Sequence, residues 1–302
     1  WQLAEEQIVP GNGASELIPG IIRTLSPKNC MVTAPCYSGY ETALNAAAPS
    51  CRIHRIPLRA EDDFTLPENI CQEIARVKPN LLILTNPNNP NGKRISANRL
   101  REIADTCRAA GTVLLVDECF LALSGGEEDS LIHCIRSEAL PAVVLRAFTK
   151  TFAIPGVRLG YAVCSAPTAE RIRRELPEWN LSVFAQYAGR AAFGNVTPGT
   201  PAPETSAGGT SGYLAASVEM IAREREFLSA ELEKLGFRVF PSDANYILFQ
   251  SRDRELHQKL LDKGILIRDC RDYHGLTAGF YRTAVRTHRE NTALLRCLRN
   301  IK

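Results

Sequence analysis

The stretch RAFTKTFAIPGVRLGYAV, residues 146–163, carries one amine, Lys150, and one guanidinium, Arg158, on a loop between two apolar runs. An amine among small and apolar neighbours becomes a nucleophile when desolvation keeps it unprotonated, the chemistry of a Schiff-base lysine; the plain alternative is a solvated surface lysine. Arg158 lies between a turn and an apolar strand and needs an anion. A phosphate suits its planar fork, and a structural salt bridge is the alternative. Three further stretches have the residue types for one site. GNGASELI (11–18) combines glycines with a helix start at Ser15 and Glu16, and the free N–H groups of a helix N-terminus hold a phosphate. Pro19 is tolerable there only near the first turn. In VDEC, Asp117 ends an apolar run, where a carboxylate can pair with a protonated ring nitrogen or simply cap a strand. In NPNNPNG (86–92), Asn89 can donate to a ring oxygen or belong to a plain turn.

The elements that must position these groups are short apolar runs: 30–35, 51–58, 80–86, 112–118, 142–148 and 159–165. Most are continuously apolar rather than alternating, which fits strands covered on both faces of a parallel-rich sheet. Helical patterns alternate with them. SANRLREIADTCRAAG has Ser96 as N-cap and Gly111 as stop, and 71–78 is a shorter helix. An α/β layered domain follows over residues 1–193. Composition then changes to Gly, Pro, Ser and Thr over 194–212, which reads as a flexible linker or insert. Beyond it come a long helix closed by Gly236, strands 237–241 and 245–250, helix 254–264, strands 265–270 and 280–286, and a closing helix. Residues 213–302 therefore read as a small α+β domain.

Among 302 residues, 45% are apolar and 23% charged, with a net charge of +3. This is ordinary for a globular protein and too small a charge to indicate nucleic acid or an acidic membrane surface as partner. No apolar run approaches the roughly 18 residues of a membrane span. None of the ten cysteines forms a CxxC pair, so zinc-ribbon spacing is absent and no metal is expected; free thiols in a reducing cytoplasm are expected instead. The chain opens at Trp1 on what reads as the end of a helix, as if it began inside a domain.

Together, NPNNPNG, VDEC and TKTFAIPGVRLGY resemble the fold-type I pyridoxal 5'-phosphate (PLP) enzymes of the class I/II aminotransferase group, over nearly the whole chain. The resemblance implies a large domain of aspartate aminotransferase-like fold, with a central mixed and mainly parallel sheet, plus a small C-terminal domain. It implies that Lys150 holds PLP covalently and that Asp117 keeps the pyridine nitrogen protonated. Asn89 would touch the ring hydroxyl and Tyr37 stack on the ring face. Arg158, Thr149 and the turn Gly13, Ala14 and Ser15 would hold the phosphate. A cytoplasmic homodimer is expected on the same ground.

Within the group, the chain is similar to the L-threonine-O-3-phosphate decarboxylases of cobalamin biosynthesis, which form (R)-1-amino-2-propanol O-2-phosphate, and next to the histidinol-phosphate aminotransferases. Phe120 stands where aminotransferases usually have a tyrosine and these decarboxylases commonly have Phe. A small phosphorylated amino acid is then the substrate, with Arg282 for its α-carboxylate and Arg268 and Arg286 as candidates for either anion. Decarboxylation follows if the arginines hold the carboxylate out of the ring plane, transamination if they hold it in plane. A PLP-binding fragment or pseudo-enzyme without turnover is the third alternative. Four departures from the family pattern bear on it: Ala147 replaces a phosphate-binding Ser or Thr, a loss of about 1.5–3 kcal/mol unless Thr149 or water compensates; Asn91 replaces the usual threonine; 194–212 has no counterpart; and the family's N-terminal arm, which reaches the partner subunit's site, is expected to be missing.

Overall fold

The structure, a computed structural model, describes residues 1–137, 140–192 and 209–301. Among these, strands β1 (Ile8–Gly11), β2 (Asn29–Ala34), β3 (Arg52–Pro57), β4 (Leu81–Thr85), β5 (Val113–Asp117), β6 (Ala142–Ala147) and β7 (Gly160–Cys164) form one sheet in the order β1-β7-β6-β5-β4-β2-β3. From β3 through β6 the neighbours are parallel, and β7 runs antiparallel to both β6 and β1. Helices α1 (Ala14–Leu25), α2 (Gly39–Ala47), α3 (Ile70–Val77), α4 (Ala97–Ala110), α5 (Ile132–Ser137), α6 (Phe148–Thr151), α7 (Ala166–Arg174) and α8 (Val183–Ala192) connect or follow these strands.

The continuously apolar strands divide by parity, because successive side chains point to opposite faces of a sheet. Leu81, Ile83, Leu115 and Val143 pack against Leu17, Ile21, Ile22 and Leu44 of α1 and α2 on one face. Leu82, Leu84, Leu114, Val116 and Val144 pack against Ile70, Ile74, Leu100 and Ile103 of α3 and α4 on the other. With each face covered, neither register has a polar position to spare, which is why alternation is missing from the sequence. Ser96 caps α4, its Oγ accepting from Arg99 N at 3.4 Å, and Gly111 ends it at φ +70°.

The second sheet, in the order β10-β11-β9-β8, is antiparallel and uses β8 (Arg238–Val239), β9 (Tyr246–Gln250), β10 (Arg268–Asp269) and β11 (Phe280–Ala284). Helices α9 (Gly209–Lys234), α10 (Leu256–Leu261) and α11 (His288–Ile301) cover it through Leu228, Leu232, Leu260, Leu294 and Leu298. Phe64, on the segment after β3, joins the two sheets: its ring meets Phe240 at 4.9 Å and Phe280 at 6.1 Å between centroids.

The structure corrects three local expectations. The strand expected over 265–270 pairs only at Arg268–Asp269, since Ile265 N is still bonded to Leu260 O at the end of α10. Pro19 sits inside α1, in its second turn, later than expected; the helix tolerates one missing N–H there because its apolar face is fully buried. Of the expected linker 194–212, residues 194–208 lie outside the described residues, while 209–212 already belong to α9. Among the described residues, no helix is long and apolar enough to cross a membrane. The segment at α8 leaves large rings in the open: Trp179, Phe184 and Tyr187 are 93%, 83% and 69% exposed.

Apolar faces of this size need covering. If α8 lies in a subunit interface, sedimentation velocity gives a two-chain species and Phe184→Asp gives single chains; a wild-type chain that sediments singly at micromolar concentration contradicts this.

Candidate active site

The carboxyl ends of β4, β5 and β6 open on one cavity of about 470 Å³, the usual place for a site in an α/β sheet. Thr85 and Asp117 are the last residues of β4 and β5 and stand side by side in the register. Ala147 ends β6, and the chain turns there into α6, bringing Thr149 and Lys150 to the same cavity. The sequence between α1 and α2 adds Tyr37. The small sheet contributes Arg268 and Arg282, neighbours across β10 and β11. A second cavity of about 700 Å³ shares Phe120, Lys150, Arg268 and Arg282 with the first, so the site continues toward the small sheet.

At one end of the cavity stands an anion cradle. Ala14 and Ser15 begin α1, a helix of 12 residues, so their N–H groups have no partners within the helix. Arg158 closes the cradle. Its Nη1 donates to Pro155 O at 3.2 Å and its Nη2 to Ser15 Oγ at 3.5 Å, and among the described residues no carboxylate lies within 4 Å of it. The salt-bridge alternative therefore fails for Arg158. Its backbone is left-handed at φ +58°, a conformation that costs a non-glycine residue about 1 kcal/mol and points to a constraint at the site. Gly13 is required beneath it: φ is +75°, and a Cβ there would lie 2.7 Å from Arg158 Nη2. Gly160 is equally confined, since a Cβ would meet Arg146 O at 2.9 Å and Ala14 N at 3.0 Å.

At the other end, Asp117 is buried. Its Oδ2 accepts from the Tyr40 phenol at 2.6 Å and its Oδ1 from Cys119 N at 3.0 Å. Burial first, and then the Asp117 charge, pushes the Tyr40 phenol well above its ordinary value, so it remains a neutral donor. Lys150 Nζ lies 5.4 Å from the centroid of the Phe120 ring, and that ring meets Tyr246 edge-on at 5.1 Å. Tyr37 is 39% exposed on the cavity wall. Gly39 makes room for its ring, because a Cβ there would sit 2.3 Å from Tyr37 Cε1.

Asn89 is buried, and its Oδ1 accepts from Arg282 Nη1 at 2.5 Å and from the Tyr273 phenol at 3.4 Å. Arg282 lies over the Tyr246 ring at 5.0 Å. No carboxylate meets Arg282 among the described residues, whereas Arg268 Nη2 donates to Asp272 Oδ2 at 2.5 Å. Arg286 stands apart from both cavities: its Nε donates to Glu290 Oε1 at 2.8 Å at the start of α11. Asn91 is fully buried and ties its loop down, donating from Nδ2 to Phe64 O at 3.1 Å and accepting from Lys93 N at 3.0 Å.

The residues present fit PLP by their chemistry. An unpaired guanidinium at a helix N-terminus suits the phosphate, a buried carboxylate the ring nitrogen, and an amine between them the aldehyde. Several cavity side chains escaped the sequence reading. Tyr40, Thr85, Tyr246 and Tyr273 are structural phenols and a hydroxyl whose value appears only with their partners. The one available signal was the second tyrosine of CYSGY, a turn of helix beyond Tyr37 and too polar to be buried alone.

The family model for aminotransferase class I and II matches residues 1–298. Threonine-phosphate decarboxylase of Salmonella typhimurium is 33% identical, over 99% of this chain and 78% of that protein. Histidinol-phosphate aminotransferase 1 of Carboxydothermus hydrogenoformans is 30% identical, over 98% and 78%. Among solved structures, the histidinol-phosphate aminotransferase from Clostridium acetobutylicum superposes with a TM-score of 0.84 at 27% identity, covering 98% of this chain and 83% of that one. The fold is the aspartate aminotransferase-like one, and with a family match across almost all of its length the chain belongs to the class I and II aminotransferases, enzymes dependent on pyridoxal 5'-phosphate.

Proposed function

We propose that the protein is a PLP-dependent carboxy-lyase acting on L-threonine O-3-phosphate and releasing (R)-1-amino-2-propanol O-2-phosphate. The observation that carries the reading is Phe120 beside Lys150: on the family resemblance this is the position of the aminotransferase tyrosine, and the ring here has no hydroxyl. The similarity to threonine-phosphate decarboxylase over 99% of the chain supports it.

When bound, PLP supplies an electron sink that weakens the bonds at an amino acid's α-carbon. The chain's own residues do the rest. Arg158 and the N–H groups of Ala14 and Ser15 hold the cofactor's phosphate, with Thr149 offering the hydroxyl that Ala147 lacks. Asp117 would accept a hydrogen bond from the ring nitrogen's N–H and keep that nitrogen protonated, Asn89 would meet the ring hydroxyl, and Tyr37 would cover a ring face. Lys150 binds the cofactor through Nζ. Arg282, steadied by Asn89 and the Tyr246 ring, takes the substrate carboxylate. Arg268 takes the second anion, which has only to displace an exposed pairing with Asp272 worth about 0–1 kcal/mol. The C–C bond to the carboxylate would break with its electron pair left at the α-carbon as CO2 departs, and Lys150, freed from the cofactor by the substrate's amine, would return a proton from its Nζ ammonium to that carbon. Arg286 is bound to Glu290 and takes no part. The free thiols of the described cysteines support a cytoplasmic location.

A second reading, an aminotransferase, draws on the 30% identity to histidinol-phosphate aminotransferase 1. It would use the same Arg282 contact with the α-carboxylate, with the α-proton leaving in place of CO2.

The PLP-loaded protein is expected to release CO2 from L-threonine O-3-phosphate, with Lys150→Ala inactive. Steady glutamate formation on addition of 2-oxoglutarate, without CO2, would instead establish the aminotransferase. Gly13→Ala is expected to displace Arg158 and weaken PLP binding by roughly tenfold or more, the loss of one charge-assisted hydrogen bond; an unchanged dissociation constant in a fluorescence titration would remove Arg158 from the phosphate site.

A further inference from the structure

The cavity contains a hydrogen-bond chain that none of the roles above uses. Tyr40, on α2, is 1% exposed, and its phenol lies 2.6 Å from Asp117 Oδ2 and 3.0 Å from Thr85 Oγ1. The direction of this chain follows from the donors available. An ionised carboxylate only accepts, so the single phenolic proton is committed to Asp117. The Thr85 hydroxyl must then donate to the phenol oxygen. Three elements are joined in one order: Thr85 of β4 donates to Tyr40 of α2, which donates to Asp117 of β5. Such a chain polarises in one sense, each bond strengthening the next.

We infer that Tyr40 is a positioning residue for Asp117, fixing the plane in which its carboxylate meets the cofactor's ring nitrogen, with Thr85 as the second link. Cys119 N anchors only Oδ1. Without the phenol, the carboxylate is free to turn about its Cβ–Cγ bond in a cavity where an undirected charge is costly. The same ring also meets Tyr37 edge-on, with centroids 5.4 Å apart and planes at 89°. One side chain thereby sets both the carboxylate at the ring's edge and the tyrosine expected over its face. Phenylalanine at position 40 retains the packing and the edge-on contact and deletes the donor alone. Valine at position 85 retains the shape and deletes the donor behind it.

The inference rests on the reading that Asp117 faces the ring nitrogen, and the test separates the two. Apo forms of the wild type, Tyr40→Phe, Thr85→Val, Thr85→Ser and Asp117→Ala are titrated with PLP. The pH midpoint of the visible band of the lysine-bound cofactor is then recorded for each, with thermal unfolding as the control for folding. Tyr40→Phe is expected to weaken PLP binding by roughly tenfold. It also raises the midpoint, because a positive charge held less firmly on the ring repels a proton at the lysine linkage less. Thr85→Val moves both quantities in the same direction by a smaller amount, and Thr85→Ser restores them. Unchanged affinity and midpoint in Tyr40→Phe and Thr85→Val, while Asp117→Ala loses the cofactor, would overturn the inference alone. An Asp117→Ala protein that binds PLP normally would overturn it together with the reading of Asp117.

Discussion

The site depends on one buried carboxylate being held in a fixed direction at the carboxyl end of the sheet's central strand. Asp117 ends β5 with both oxygens taken by donors, Cys119 N on one and the Tyr40 phenol on the other. A charge in such a place is tolerated only where hydrogen bonds and a cationic partner replace water. In the proposed reading the cofactor would bring that partner as a protonated ring nitrogen. Two apolar layers hold β4, β5 and β6, and their ends deliver Thr85, Asp117 and the turn to Lys150 at one level.

The opposite end of the cavity solves the complementary problem of holding an anion. Arg158 is kept in a left-handed backbone conformation over a glycine that cannot carry a side chain, beside the open start of α1. The small sheet then supplies a second cationic face through Arg282 and Arg268. These two guanidiniums differ in readiness. Arg282 is braced by an amide oxygen and an aromatic ring and carries no counter-charge among the described residues, whereas Arg268 is already paired with Asp272. The junction at Phe64, Phe240 and Phe280 fixes how far apart the two faces stand.

The large sheet was legible in the sequence because buried strands have nowhere to place polar residues, and each apolar run became a strand within a residue or two of its expected bounds. The short strands β8 and β10 were harder: two paired residues leave too brief a pattern to separate from the helix ends beside them. Lys150, Asp117 and Arg158 stood out because a lone charge at an apolar strand end has few uses. Tyr40 and Thr85 did not, since a buried phenol or hydroxyl looks like core until its partner is known. The resemblance pointed to Arg282 for the carboxylate and left Arg286 a candidate for either anion; the fold turns the first toward the cavity and the second onto Glu290.

The central claim is that the cofactor is joined to Lys150 between the Arg158 cradle and Asp117. Reduction of the PLP-loaded protein with borohydride, followed by peptide mass mapping, tests it most directly. The account predicts one pyridoxyl group, on the peptide that contains Lys150, and none in Lys150→Ala; a label on a different lysine, or no label despite bound cofactor, would contradict it.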